Sequence, residues 1–353
     1  MKLFYSLCFF LINFYSINAQ ESLIKVEQFS LDSKILGENR EIDIHLPKNY
    51  FNTEFDKAYY PVVYVLDGER NFPMLTALEI YGTRSMYRAF PEMIIVGIRN
   101  IDRNRDFTPT VPSDTSSTKK ANFPTSGKAT EFLSFINDEL KPYIDSNFRT
   151  NGYNILHGHS FGGLFALNTW VSNPNSFDAY IAIDPSLWWD NRVVFDRLKE
   201  AVENNTLPVK NVYVALAFES QEASKDRLNH GGSIREFCEK VLTLNPKIDE
   251  LSDWKYYPDK DHGTVPWPSS LDAFTSLFQG MQLQVKKIPS NPELVKKQYE
   301  QLSLKLGHKI LPDESLLLEL VKYTKKNNKS EEAQILIDYY KEIYPKSKQL
   351  LNL

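Results

Sequence analysis

Tyr153-Asn-Ile-Leu-His-Gly-His-Ser-Phe-Gly-Gly-Leu-Phe-Ala-Leu-Asn-Thr-Trp-Val171 is the stretch on which the fold turns. Its first residues are apolar and strand-forming, and the run from Phe161 to Val171 reads as an apolar helix. Between them lies Gly158-His159-Ser160-Phe161-Gly162, followed by Gly163. A G-x-S-x-G string is common by chance, but a strand leading in and a helix leading out form the setting that a nucleophile elbow requires. The glycines have a physical task. The sharp turn holds Ser160 in a strained conformation, and a Cβ at Gly158 or Gly162 is expected to collide with neighbouring backbone. Such a turn presents the Ser160 hydroxyl at the carboxyl edge of a sheet and aims the Phe161 amide, at a helix N-terminus, toward a developing oxyanion. A glycine-rich turn without chemistry is the competing reading.

Outward from this stretch, strands and helices alternate. Pro61-Val-Val-Tyr-Val-Leu66 is a continuous apolar run, as a strand covered on both faces should be, and it stops at Asp67-Gly68. A helix is expected over 74–88, a strand over 93–98, and a helix whose apolar face carries Phe132, Phe135, Ile136, Leu140 and Tyr143. Strand-like runs at 179–183, 212–218 and 254–257 alternate with helical ones at 194–202 and 234–244. That alternation predicts an α/β fold with a largely parallel sheet covered on both faces. Near the start, two β-rich segments over 24–46 flank Gly37-Glu38-Asn39, which reads as an antiparallel hairpin. The polar, Thr-, Ser- and Pro-rich segment 100–127 is long for a loop inside a compact domain, which marks it as functional or mobile.

After about residue 284 strand signals cease. Amphipathic helices are expected over 292–306, 314–325 and 330–344, and the last two resemble one tetratricopeptide unit. One such unit cannot bury its own face, so it must pack on the preceding helix, the main domain, a protein partner or a second copy. The expected organisation is a leader at 1–19, an α/β domain at 20–284 and a helical appendage at 285–353. The leader reading rests on Lys2, the apolar run Leu3–Ile12 and Ala19, the pattern of a secretory signal peptide. It predicts an exported, periplasmic or secreted chain with no membrane span after processing. Cys8 falls within that segment, so the processed chain keeps only Cys238 and forms no internal disulfide. A net charge of −4 over 353 residues gives no general attraction to nucleic acid or acidic membranes.

Several stretches together resemble the Putative esterase family of α/β hydrolases, which includes siderophore esterases, feruloyl and acetylxylan esterases, S-formylglutathione hydrolase and mycolyltransferases. They are Leu36-Gly-Glu-Asn-Arg-Glu-Ile42, Val65-Leu-Asp-Gly68, Val96-Gly-Ile-Arg-Asn100, Asp102-Arg-Asn-Arg-Asp-Phe-Thr-Pro-Thr110, the elbow itself, and Pro185-Ser-Leu-Trp-Trp-Asp190. The resemblance runs from about Val26 to Leu277, and the arginine-rich and Trp-Trp motifs look most like the siderophore-esterase branch. It implies a serine ester hydrolase without metal or organic cofactor.

A serine nucleophile needs a base, and the base needs an orienting acceptor. In this fold the acid and then the histidine follow the serine. Downstream of Ser160 lie His230 and His262. His262 follows the last strand and is the expected base, whereas His230 stands at a helix entry. His157 and His159 lie too close to Ser160 in the chain to serve. Glu219, at the end of the 212–218 strand, is the expected acid, ahead of Asp226 and then Asp184. By resemblance to the mycolyltransferases, the amide of Glu69 is the second oxyanion donor beside that of Phe161. Arg70, Arg99, Arg103 and Arg105 with Trp188 and Trp189 suit an anionic or aromatic ester, such as a siderophore-type lactone, while a carbohydrate ester is the other expected substrate. Pairing of these arginines with carboxylates such as Asp102 and Asp106 is the competing reading. Two further functions stand beside hydrolysis: acyl transfer to an alcohol, and non-catalytic binding on a hydrolase scaffold.

Overall fold

The computed structural model describes residues 26–112, 123–218 and 230–353. The expected leader, residues 113–122 of the arginine-rich segment, Glu219 and Asp226 lie outside the described residues. Among the described residues eight strands form one sheet: β1 (Val26–Ser33), β2 (Glu38–His45), β3 (Tyr60–Val65), β4 (Ile94–Ile98), β5 (Thr150–His159), β6 (Ala179–Ile183), β7 (Asn211–Ala217) and β8 (Ser252–Tyr257). Their order is β1-β2-β4-β3-β5-β6-β7-β8. The expected hairpin supplies the antiparallel edge, since β1 pairs with β2 and β2 with β4 antiparallel, and every later pairing is parallel. This is the α/β-hydrolase arrangement.

Strands β3, β4, β6 and β7 are buried throughout because helices cover both faces. Successive residues face opposite ways, so Val62 and Tyr64 join one apolar cluster while Val63 and Val65 join the other. The first cluster is closed by α3 (Ala129–Phe135), α5 (Phe161–Ser172), α6 (Trp189–Glu203) and α7 (His230–Glu236), and the helix of α3 runs on through a π turn into α4 (Lys141–Asn147). The second is closed by α1 (Gly68–Gly82), α9 (Pro266–Leu277) and the C-terminal helices α10 (Glu293–Leu306), α11 (Glu314–Lys326) and α12 (Ser330–Ile343). A short α2 (Arg103–Phe107) and α8 (Pro246–Leu251) complete the set used below.

One expected helix is displaced. The 74–88 helix instead begins at Gly68 and ends at Gly82. Gly68 lies so close to β4 that a Cβ would sit 2.8 Å from the Gly97 carbonyl carbon and the Ile98 nitrogen, so the chain turns into helix directly from the strand. The left-handed backbone of Ser85 then excludes 84–88 from the helix. The C-terminal helices are bound by polar contacts as well. Arg88 pairs with Asp313 and also donates to Ser315 at 2.9 Å, while the Glu314 carboxylate accepts from Tyr340 at 2.7 Å.

Candidate active site

Three loop ends meet at the carboxyl edge of the sheet. The first is the elbow between β5 and α5. Ser160 has φ 61° and ψ −116°, a conformation side-chain-bearing residues rarely adopt and one of order 1–3 kcal/mol above the allowed wells. What holds it is backbone pairing: the Ser160 amide donates to Ile183 at 2.9 Å, and its carbonyl accepts from Leu164 at 2.9 Å and Ser186 at 3.1 Å. The glycines divide their work differently from the expectation. A Cβ on Gly158 would lie 2.2 Å from the Gly162 carbonyl oxygen, a forbidden overlap. At Gly162 the nearest atom is the Leu66 Cβ at 3.4 Å, an ordinary contact, so that glycine is not sterically required by its neighbours. Gly163 is the tighter position, with Pro185 3.0 Å away.

The second loop end leaves β6. Asp184 adopts φ 45°, is 1% exposed, and accepts the Ala217 amide on Oδ1 at 2.9 Å. The third is the loop after β8, which carries His262. The Nδ1 of His262 lies 2.6 Å from Asp184 Oδ2, and the Nε2 of His230, at the start of α7, lies 2.9 Å from the same oxygen. Burial alone would raise the Asp184 pKa, but the hydrogen bonds from His230 and His262 outweigh it and hold the carboxyl well below the usual range. An ionised carboxylate only accepts, so both histidines donate to it. His262 therefore carries its proton on Nδ1, and the lone pair of its Nε2 is available to a neighbour.

His262 is located against the elbow by His159, whose ring centre is 4.5 Å from that of His262. Among the described residues Ser160 Oγ has Ser186 Oγ at 3.4 Å as its hydrogen-bonding neighbour, and no direct bond to His262 is formed. Catalytic hydrogen bonds are often long or unformed in a substrate-free site and tighten when substrate binds. Neither histidine flanking the elbow carries charge. Burial pushes His157 down to about 4, and burial followed by the proximity of His262 pushes His159 down to about 3. His157 Nε2 lies 2.9 Å from Ser270 Oγ, whose own proton goes to the Pro266 carbonyl, so His157 is the donor.

Phe161 opens α5 and Glu69 lies in the first turn of α1, where leading amides have no carbonyl one turn back. The Glu69 carboxylate is occupied with Asn100, at 2.7 Å to its side chain and 3.1 Å to its amide. Arg103 fastens the two segments together: it forks onto Asp67 at 2.6 and 3.1 Å and also donates to the His159 carbonyl at 3.1 Å. Arg99 forks onto Asp43 at 2.8 and 3.0 Å. Arg105 binds Glu38 and Asp106, and Asp102 caps α2 by accepting the Arg105 amide at 3.0 Å. Thus three of the four arginines order the loop by pairing with carboxylates. The fourth, Arg70, reaches the Gly263 carbonyl at 3.2 Å and lines a cleft of about 660 Å³ with Met74, Asp261, Thr264 and Trp267. Trp189 is buried and donates to Thr110 at 3.1 Å, whereas Trp188 is partly exposed with its ring 6.0 Å from that of Phe161.

Sequence reasoning ranked Asp184 third as the acid and gave His230 no role at the site. Both are brought to His262. The available signal was the Ile183-Asp184-Pro185 strand end, which resembles many loop carboxylates, and nothing local singles out His230.

The Putative esterase family profile matches residues 33–229. The chain is 32% identical over 223 residues to the ferri-bacillibactin esterase of Bacillus subtilis, covering 59% of this chain and 75% of that one. It is 31% identical over 244 residues to the siderophore enterobactin esterase of Emericella nidulans, covering 59% and 78% respectively. Among solved structures, an IroE-like serine hydrolase from Shewanella oneidensis superposes with TM-score 0.78 at 30% identity, over 90% of this chain and all (100%) of that one. The chain belongs to the Putative esterase family, and it is a serine ester hydrolase of the α/β-hydrolase fold.

Proposed function

We propose that this enzyme cleaves siderophore-type esters through an acyl-enzyme on Ser160, with His262 as base and Asp184 as the acid that orients it. The observation carrying the assignment is the 2.6 Å contact of His262 Nδ1 with buried Asp184, beside a serine held at positive φ. Ser160 Oγ attacks the ester carbonyl as its proton passes to His262 Nε2. The amides of Phe161 and Glu69 face the oxyanion. The imidazolium then returns the proton to the leaving alkoxide, and water releases the acyl group by the same steps in reverse. Glu219, the acid expected from sequence, lies outside the described residues, and the support for Asp184 is its contact with His262. The siderophore reading draws on the names of the two esterase relatives and on a cleft lined by Asp261 and Gly263, the chain neighbours of His262, where Arg70 and the exposed ring of Trp267 offer a cation and an aromatic face.

The test is labelling by a fluorophosphonate probe together with a screen of ferric and iron-free catecholate lactones, acetylated sugars and p-nitrophenyl esters. Wild type should label and turn over lactones fastest, and Ser160→Ala should do neither while melting normally. Preference for the sugar esters would overturn the substrate class, and labelling of Ser160→Ala would overturn the nucleophile.

We further place the working enzyme outside the cytoplasm, processed after Ala19. No helix among the described residues is long and apolar enough to cross a membrane. N-terminal sequencing of the mature chain should read from Gln20, and a chain that keeps residues 1–19 would refute the processing.

A further inference from the structure

The acid of this site is approached by two histidines where a triad needs one. His262 Nδ1 and His230 Nε2 converge on Asp184 Oδ2 at 2.6 and 2.9 Å, and the three ligand-capable atoms lie within 4.8 Å of one another. They come from three separate segments: the end of β6, the start of α7 and the loop after β8. Asp184 is buried while His230 and His262 are 26% and 48% exposed, so the cluster has a fixed carboxylate at its base and a solvent path at its mouth.

Two neutral imidazoles and one carboxylate are a ligand set for zinc and related divalent ions, with a fourth position left to water. We propose that this cluster binds one Zn²⁺ through Asp184, His230 and His262, and that the bound ion switches the esterase off. The inference rests on the catalytic reading of His262. In the metal-free site both nitrogens donate protons to Asp184. Zinc binding shifts each ring's single proton to its other nitrogen by exchange with solvent, with no net release, and the ion takes the lone pair left on the nitrogen that had faced Asp184. Zinc–ligand bonds near 2.0–2.1 Å place tetrahedral neighbours about 3.3 Å apart, so the two nitrogens need withdraw from Asp184 by less than an ångström each. Partly exposed side chains on a loop and a helix end allow that movement.

The inhibitory consequence follows from imidazole chemistry. A neutral imidazole has one N–H and one lone pair. With the Nδ1 lone pair on zinc, the proton resides on Nε2, and the nitrogen that the proposed mechanism needs as acceptor becomes a donor that cannot take the serine proton. The ion thereby traps the base in the wrong tautomer without blocking the cleft.

The experiment uses the full chain stripped by chelator, in wild-type, Ser160→Ala and His230→Gln forms. Zn²⁺ binding is measured by equilibrium dialysis with metal analysis, and Co²⁺ is used as a spectroscopic substitute. Wild type and Ser160→Ala should each bind one Zn²⁺ per chain and give the intense visible bands of low-coordinate Co²⁺. His230→Gln should bind at least tenfold more weakly. In wild type, the zinc concentration that halves p-nitrophenyl ester hydrolysis should match the dissociation constant, and excess chelator should restore activity. Absence of a stoichiometric ion, or equal affinity in His230→Gln with an unchanged melt, would overturn the site. Stoichiometric binding with undiminished turnover would overturn the switch. Because dialysis and the cobalt spectrum need no turnover, a failure of the esterase reading shows up separately, as an unlabelled wild type.

Discussion

Asp184 sets the state of the site at the scale of single residues. It is buried at the end of a strand, its Oδ1 is fixed by a backbone amide, and its Oδ2 accepts a hydrogen bond from each histidine. On the proposed mechanism, that arrangement fixes the tautomer of His262 before substrate arrives, which is the contribution an acid makes in a serine triad. Asp184→Asn keeps the shape but offers the ring a side chain that can donate, so the wrong tautomer becomes accessible. We expect kcat to fall by roughly three to four orders of magnitude in the ester assay with little change in KM. Glu219→Ala should lose far less, and a reversed ranking would return the acid to Glu219.

Among the elements, the β5–α5 elbow is the most constrained. Gly158 is required because the chain doubles back on itself there, carrying the Gly162 carbonyl into the space a Cβ would fill. Gly162 faces the Leu66 side chain at contact distance. Gly158→Ala should therefore abolish turnover and lower the melting temperature sharply, whereas Gly162→Ala should fold and keep measurable activity. Circular dichroism melts beside the ester assay separate the two, and equal damage by both substitutions would contradict this division. The same element shows why arginines near a serine need not touch substrate. Arg103 joins the β3–α1 turn to the elbow through Asp67 and the His159 carbonyl, which holds the Glu69 and Phe161 amides in a fixed relation.

Stability of the whole molecule should depend on pH through residues buried next to the site. His157 is neutral in the fold and titrates near 4, while an unfolded chain protonates it near 6.5. The unfolded state therefore binds more protons below about pH 6.5, and stability falls as pH drops toward the folded value, by about 3 kcal/mol at pH 4. His159 acts in the same direction. Asp184, depressed by its partners, contributes stability above the ordinary carboxylate range and loses it only at still lower pH. Thermal melts should show a decline between pH 6.5 and 4 that His157→Gln makes shallower. A wild-type melt flat across that interval would show that burial of His157 carries no such cost. The C-terminal helices belong to this scale too, because Leu316, Leu317, Leu320 and Val321 of α11 share one cluster with Val63 and Val65 of β3.

Local patterning was enough to establish the α/β architecture, the antiparallel edge, the elbow with Ser160 and the loop bearing His262. Each is a matter of hydrophobic period and turn chemistry within some twenty residues, and such information lies in the order of the side chains. The helix start at Gly68 was hidden, since only the approach of β4 makes that glycine necessary. The partner of His262 was hidden for the same kind of reason. His230 and His262 lie 46 and 78 residues from Asp184 along the chain, and only the parallel pairing of β6, β7 and β8, by delivering their carboxyl ends to one edge, brings the three onto a single oxygen. Which carboxylate meets which imidazole is a property of packing in three dimensions, and no spacing in one dimension encodes it.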